Sequence, residues 1–167
     1  MTMGATTRSS APNWLQPVEW LLMVVVISVL VVFFLHFAQQ TKGQSELAAI
    51  KSTVGALRTA FVIDHVQQQV RPVSGSAAPV HTNPFELVQP RPGNYRGEMD
   101  TAKAADVPPG SWFFVPSCPC VGYRPMDDLW LNSPSSSSLI WFKVVGMPGV
   151  LQLVPQEKYL WGNNFID

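Results

Sequence analysis

The chain has 167 residues, 11 of them basic and 11 acidic, so its formal charge is zero and nothing in it marks a nucleic-acid surface. Two cysteines are too few for a disulfide framework, and His36, His65 and His81 have no second ligand at metal-binding spacing, so no cofactor or metal is expected. Fifteen prolines and 11 glycines, most of them in the second half, exclude a plain helical bundle and point to a turn-rich domain that contains β-structure.

Residues 1–17 read as a leader of small and polar side chains whose only charge is Arg8. The apolar run that follows has no small-residue cleavage site behind it, as a secretory signal would need, so the run is expected to be retained. Pro17 suits the first turn of a helix, where its missing N–H has no partner to lose.

Residues 18–38 form that run, interrupted only by Glu19, Ser28 and His36. As a helix these 21 residues span about 30 Å, the thickness of a bilayer's hydrocarbon core, and are read as a transmembrane helix. Glu19 admits two readings. It sits in the headgroup layer and favours the positive end of the helix dipole, or it is a costly intramembrane charge kept for a partner. Positive charge lies on both sides of the span, with Arg8 before it and Lys42, Lys51 and Arg58 after it, so loop charge gives no support for a cytoplasmic N-terminus.

Residues 39–71 continue as an amphipathic helix, with softening expected at Gly43 and Gly55. Leu47, Ile50, Val54, Leu57 and Phe61 follow one another at alternating steps of three and four, which puts them on one stripe. Such a stripe packs on the chain's own globular domain or forms a seam with a partner helix, for which the run is short. Arg71-Pro72 stops the helix.

Residues 72–167 are read as a Pro/Gly-rich globular β domain. Residues 73–80 make a loop, and Asn83 caps a short helix that starts at Pro84 and has Glu86 in its third position. Pro90, Pro92 and Gly93 end that turn, and an extended segment follows Tyr95. Residues 112–115 and 121–124 are predicted to pair as a hairpin across Pro116–Cys120. Cys118 and Cys120, separated by one proline, leave three states open: a small strained ring, a metal site lacking further ligands, or a bridge between subunits. An oxidised state is expected if the domain is periplasmic.

Asp127 and Asp128 are adjacent acids that suit a solvated turn, or a calcium site without ordered ligand spacing. Residues 139–145 are the strongest predicted strand, expected to be buried on both faces. They turn at Met147, Pro148 and Gly149 into a strand at 150–154, and residues 159–161 are expected at a sheet edge.

A glutamate heading a Leu/Val/Ile-rich helix after a short polar leader, with an amphipathic continuation carrying Val-Gly-Ala-Leu-Arg-Thr-Ala-Phe at 54–61, resembles type IV pilins and the pseudopilins of type II secretion systems. The series Asn83, Pro84, Leu87, Pro90, Pro92, Asn94, Tyr95, Gly97 and Glu98, then Pro109, Gly110 and Trp112, resembles a second segment of pilin-like proteins. Together the two stretches cover about residues 17–61 and 83–123.

The resemblance implies an α+β, pilin-like fold: a long N-terminal helix, half in the membrane and half amphipathic, packed on a small antiparallel sheet. By the same resemblance Leu15 is the first residue after leader cleavage, and Glu19 neutralises the N-terminal amine of a neighbouring subunit. Trp14 and Leu15 stand where the family has Gly and usually Phe. The implied function is that of a minor pilin or pseudopilin-like subunit in the bacterial inner membrane, with its N-terminus cytoplasmic, its C-terminal domain periplasmic or in a filament, and pilin-like subunits and assembly machinery as partners. An uncleaved, membrane-anchored accessory protein is the alternative. No nucleophile elbow, phosphate loop or zinc-protease motif is present, and the serine run Ser135–Ser138 has no base nearby, so catalysis is not expected.

Overall fold

The computed structural model describes residues 15–70, 83–147 and 150–166. Trp14, the helix stop at Arg71-Pro72, the loop at 73–80, His81 and the turn at Pro148-Gly149 lie outside the described residues. The fold is α+β: helix α1 runs over Leu15–Val70, and among the described residues eight strands form two sheets. The chain divides into two compact units, residues 1–42 and 43–167.

In the first unit every large apolar side chain from Val18 to Phe37 is exposed. This part of α1 is long and apolar enough to cross a membrane and is compatible with a single span. Two of its hydroxyls turn back onto the helix: Ser28 Oγ donates to the Val24 carbonyl at 2.7 Å, and Thr41 Oγ1 to the Phe37 carbonyl at 3.0 Å. Hydrocarbon demands such internal satisfaction, because it offers a hydroxyl no other partner.

The second unit holds the rest of α1 and all the strands. The five-stranded sheet has the order β1-β2-β3-β5-β6, with β1 Tyr95–Glu98, β2 Ser111–Val115, β3 Cys120–Arg124, β5 Ile140–Met147 and β6 Val150–Pro155. A second sheet is built from β4 Leu131–Asn132, β7 Tyr159–Trp161 and β8 Asn164–Ile166, in the order β4-β7-β8. Leu47, Ile50, Val54, Leu57 and Phe61 of α1 are buried in one core with Trp112, Phe114, Val121, Ile140, Phe142 and Val144 of the large sheet and Tyr159, Trp161 and Ile166 of the small one. Burial of such side chains contributes roughly 1.5–3 kcal/mol each, so this face of α1 is a main source of the unit's stability.

Alternation along β2 sends Phe113 and Val115 to the other side of the sheet, where Ala104 and Val107 cover them.

Three expectations need correction. The large sheet is mixed rather than antiparallel, because β1 pairs with β2 in parallel, Tyr95 with Trp112 and Glu98 with Phe114. Parallel neighbours need a crossover, and residues 99–110 supply it, carrying a 3-10 helix at Thr101–Asp106. Second, β5 is not buried on both faces. Ile140, Phe142 and Val144 are buried, whereas Lys143 and Val145 are exposed and Trp141 is half-buried, because the crossover covers only part of the far face. Third, β7 lies in the middle of the second sheet, between two strands too short to carry a hydrophobic pattern.

Candidate functional site

Glu19 is exposed on α1, four residues after Leu15, with which the helix begins. Trp14, the other half of the expected cleavage pair, lies outside the described residues. Pro17 stands in the first turn, where it breaks no intrahelical bond.

The stripe is fixed by polar ties as well as by packing. Glu46, one position before Leu47, accepts two hydrogen bonds at Oε1: from the Tyr123 hydroxyl at 2.8 Å and from the Met126 backbone N–H at 2.7 Å. Trp161 Nε1 donates to the Gly43 carbonyl at 2.9 Å, and Arg58 Nε to the Leu153 carbonyl at 3.1 Å. Arg58 thereby links α1 to β6, an edge strand of the large sheet. Gly43 does not soften the helix. A Cβ there would lie 2.5 Å from Cε2 of Trp130, so glycine is what lets the indole rest on the α1 backbone.

The segment from Asn83 to Trp112 forms a polar joint at the sheet's β1 edge. Asn83 Oδ1 accepts from the Phe85 N–H at 3.0 Å, while its Nδ2 donates to the Tyr95 hydroxyl at 2.7 Å and to Glu98 Oε1 at 3.0 Å. Asn83 thus caps the expected short helix, a single 3-10 turn over Pro84–Glu86, through the amide of Phe85. Phe85 is fully buried and stacks on Tyr95 with centroids 4.1 Å apart. Asn94 Nδ2 donates to the Gly110 carbonyl at 2.7 Å, and the Trp112 N–H donates to the Asn94 carbonyl at 3.0 Å. Asn83, Tyr95, Glu98, Asn94, Gly110 and Trp112 therefore hold β1 in parallel register. Their spacing in the sequence reflects that joint.

Cys118 and Cys120 are joined by a disulfide in the turn between β2 and β3. Gln156 Nε2 donates to Cys120 Sγ at 3.1 Å, and the Val144 N–H donates to the Pro119 carbonyl at 2.9 Å, so the turn is anchored to its neighbours. Asp127 caps the 3-10 turn Asp128–Trp130 by accepting from the Leu129 N–H at 3.0 Å. Among the described residues no group of three or more His, Cys, Asp or Glu side chains could hold a metal ion.

Burial pushes the Tyr123 hydroxyl far above the ordinary tyrosine range, and the Glu46 carboxylate it donates to raises it further. Burial also raises Tyr95 and Tyr159. A tyrosine whose folded pKa exceeds its unfolded value stabilises the fold fully below that unfolded value, about 10. That contribution is lost as pH climbs above 10, because the unfolded chain sheds its proton first. The melting temperature is therefore expected to fall above pH 10. In Tyr123→Phe the fall should be shallower, while at neutral pH the variant loses roughly 1.5–3 kcal/mol with the bond to Glu46. Parallel Tm-versus-pH curves for the two proteins would reject the role given to this pair.

Glu46, Gly43 and the joint at β1 were not legible as functional partners in the sequence. Glu46 is the one acid directly beside the stripe, a signal that could have pointed to a tie with the sheet. Compared with protein-family models, with curated proteins and with solved structures, the chain has no match in any of the three.

Proposed function

We propose that this protein is a minor pilin or pseudopilin-like subunit, acting by assembly rather than catalysis, stored in the bacterial inner membrane and drawn into a type IV pilus or type II secretion filament through its N-terminal helix. The observation that carries this reading is the division of labour along α1. One continuous helix leaves its apolar part exposed from Val18 to Phe37 and buries Leu47, Ile50, Val54, Leu57 and Phe61 in the globular core. Such a helix keeps its first half available for lipid or for other helices. Glu19 then serves as the charge that sets the register of one subunit on the next, by pairing with a neighbour's N-terminal amine.

A second reading is favoured by Trp14, which stands where a prepilin peptidase would meet Gly. Under it the leader stays on, and the protein is an anchored periplasmic accessory of the same architecture.

Intact-mass spectrometry of the protein taken from its native membrane separates the two. A mass lacking residues 1–14, with one added methyl on the new amine, is expected for the subunit; a full-length mass overturns it in favour of the anchored accessory. Glu19→Gln should leave membrane insertion intact and abolish co-assembly, since removing one partner of a buried ion pair costs about 3–5 kcal/mol. Unimpaired assembly of that variant would sink the role given to Glu19.

A further inference from the structure

Outside the apolar part of α1, the most exposed large apolar side chain among the described residues is Leu129, at 90 %. Met126, on the same turn, is 70 % exposed. These side chains are held outward by a fixed backbone. The Met126 N–H donates to Glu46 at 2.7 Å, the Leu129 N–H to Asp127 Oδ1 at 3.0 Å, and the Leu131 N–H to the Asp128 carbonyl. Trp130 is seated on Gly43. The turn is thus bolted to residues 43 and 46 of α1.

Gly43 follows Ala38, the end of the apolar run, by only five residues. Even fully extended, that chain reaches no more than about 18 Å, and as a helix it rises about 7.5 Å. The polar layer on each side of a bilayer's core is about 5–8 Å deep. Chain length alone therefore keeps the turn within reach of the surface of any bilayer that residues 18–38 cross.

We infer that residues 126–130 are a membrane-docking turn, which inserts Leu129 and Met126 at the boundary between headgroups and acyl chains. This rests on the membrane-span part of the reading above and not on filament assembly. The occupant is lipid, because the patch is tied to Gly43 and Glu46, the part of the globular unit nearest along the chain to the apolar run. An indole such as that of Trp130 suits that boundary, having an apolar body and a polar N–H, and leucine and methionine gain there by burying apolar surface. Asp127, one of whose carboxylate oxygens accepts from the Leu129 N–H, and Asp128 are both exposed, so the turn carries negative charge and suits a zwitterionic surface rather than an anionic one. Docking of this kind would restrain the globular unit at the membrane surface.

The test uses the full chain in phosphatidylcholine nanodiscs, with an environment-sensitive fluorophore on single cysteines introduced as Leu129→Cys, Val32→Cys and Gln152→Cys, the native pair being held in its disulfide. Lipids spin-labelled near the headgroup should quench the Leu129 probe severalfold. Lipids labelled near the acyl terminus should quench the Val32 probe, and neither should quench the exposed Gln152 probe. A Leu129 probe as unquenched as Gln152, with Val32 quenched, overturns the docking while leaving the span intact. An unquenched Val32 probe removes the span and the docking with it. A Leu129 probe shielded only at high protein density, without lipid quenching, would assign the patch to a second copy and also overturn the inference. Met126→Cys, labelled alone, should repeat the Leu129 result and guards against a local effect of that one substitution.

Discussion

Leu57→Asp is expected to abolish cooperative folding of the globular unit. Leu57 is 1 % exposed and lies in the core shared by α1 and both sheets. Truncating a buried leucine costs about 2–5 kcal/mol through lost transfer energy and the cavity left behind. The introduced carboxylate adds the cost of burying a charge with no partner, or of protonating it to avoid that. The sum is comparable with the whole stability of an ordinary domain, about 5–15 kcal/mol. Far-UV signal would survive in the apolar part of α1, so near-UV circular dichroism of the aromatic core is the better readout. Leu57→Met, which keeps volume, should cost less than about 1.5 kcal/mol. Val62→Asp, on the exposed side of the same helix, should stay within about 0.5 kcal/mol of the parent. An unchanged near-UV melting curve for Leu57→Asp would reject the packing of α1 described above.

That stripe was legible because a helix repeats its faces every three or four residues, and Leu47 to Phe61 keep the pattern without a break. The hairpins β2–β3 and β5–β6 were legible for a similar reason: each pair is local, and a short stretch of sequence with proline or glycine separates aromatic and β-branched runs. What escaped is what depends on partners distant in sequence. β1 was legible as an extended segment but its pairing was not, because its strand neighbour among the described residues comes after a crossover, and parallel pairing leaves no hairpin signal. β4 has two residues, too few for any period. Gly43 looked like a weak point in a helix, yet an indole from nearly ninety residues later fills the space its missing Cβ leaves. Glu46 carries no periodic signal of its own, and its two donors come from β3 and from the turn that follows it. Of the candidate site, Glu19 stood out as the only carboxylate in an apolar run. Its proposed partner belongs to another subunit, which the fold of a single chain does not display.

Gly122→Val is expected to destabilise the protein, although strand propensity argues the opposite. Glycine weakens a strand interior, and valine is among the best strand formers, an advantage of up to about 1 kcal/mol. Gly122 lies in β3 between Phe113 on β2 and Trp141 on β5, and its backbone has no conformation that requires glycine. The requirement is steric. A Cβ at 122 would run into the Phe113 ring, meeting Cζ and Cε2 and lying 2.7 Å from Cε1. Phe113 cannot easily yield, being fully buried and held edge-on to Trp141 with centroids 5.3 Å apart. Overpacking costs about 1–3 kcal/mol when neighbours shift slightly, and displacing a buried phenylalanine approaches the 3–5 kcal/mol of deleting it. The steric term outweighs the propensity, for a net loss of about 2 kcal/mol or more. Chemical denaturation of Gly122→Val, Phe113→Ala and the double variant checks the cause as well as the sign. Removing the ring removes the clash, so the double variant should lose clearly less than the two single losses added together, by more than the roughly 0.5 kcal/mol within which independent sites add. Additive losses, or a Gly122→Val protein as stable as its parent, would show that the bare backbone at 122 is not there to seat the Phe113 ring.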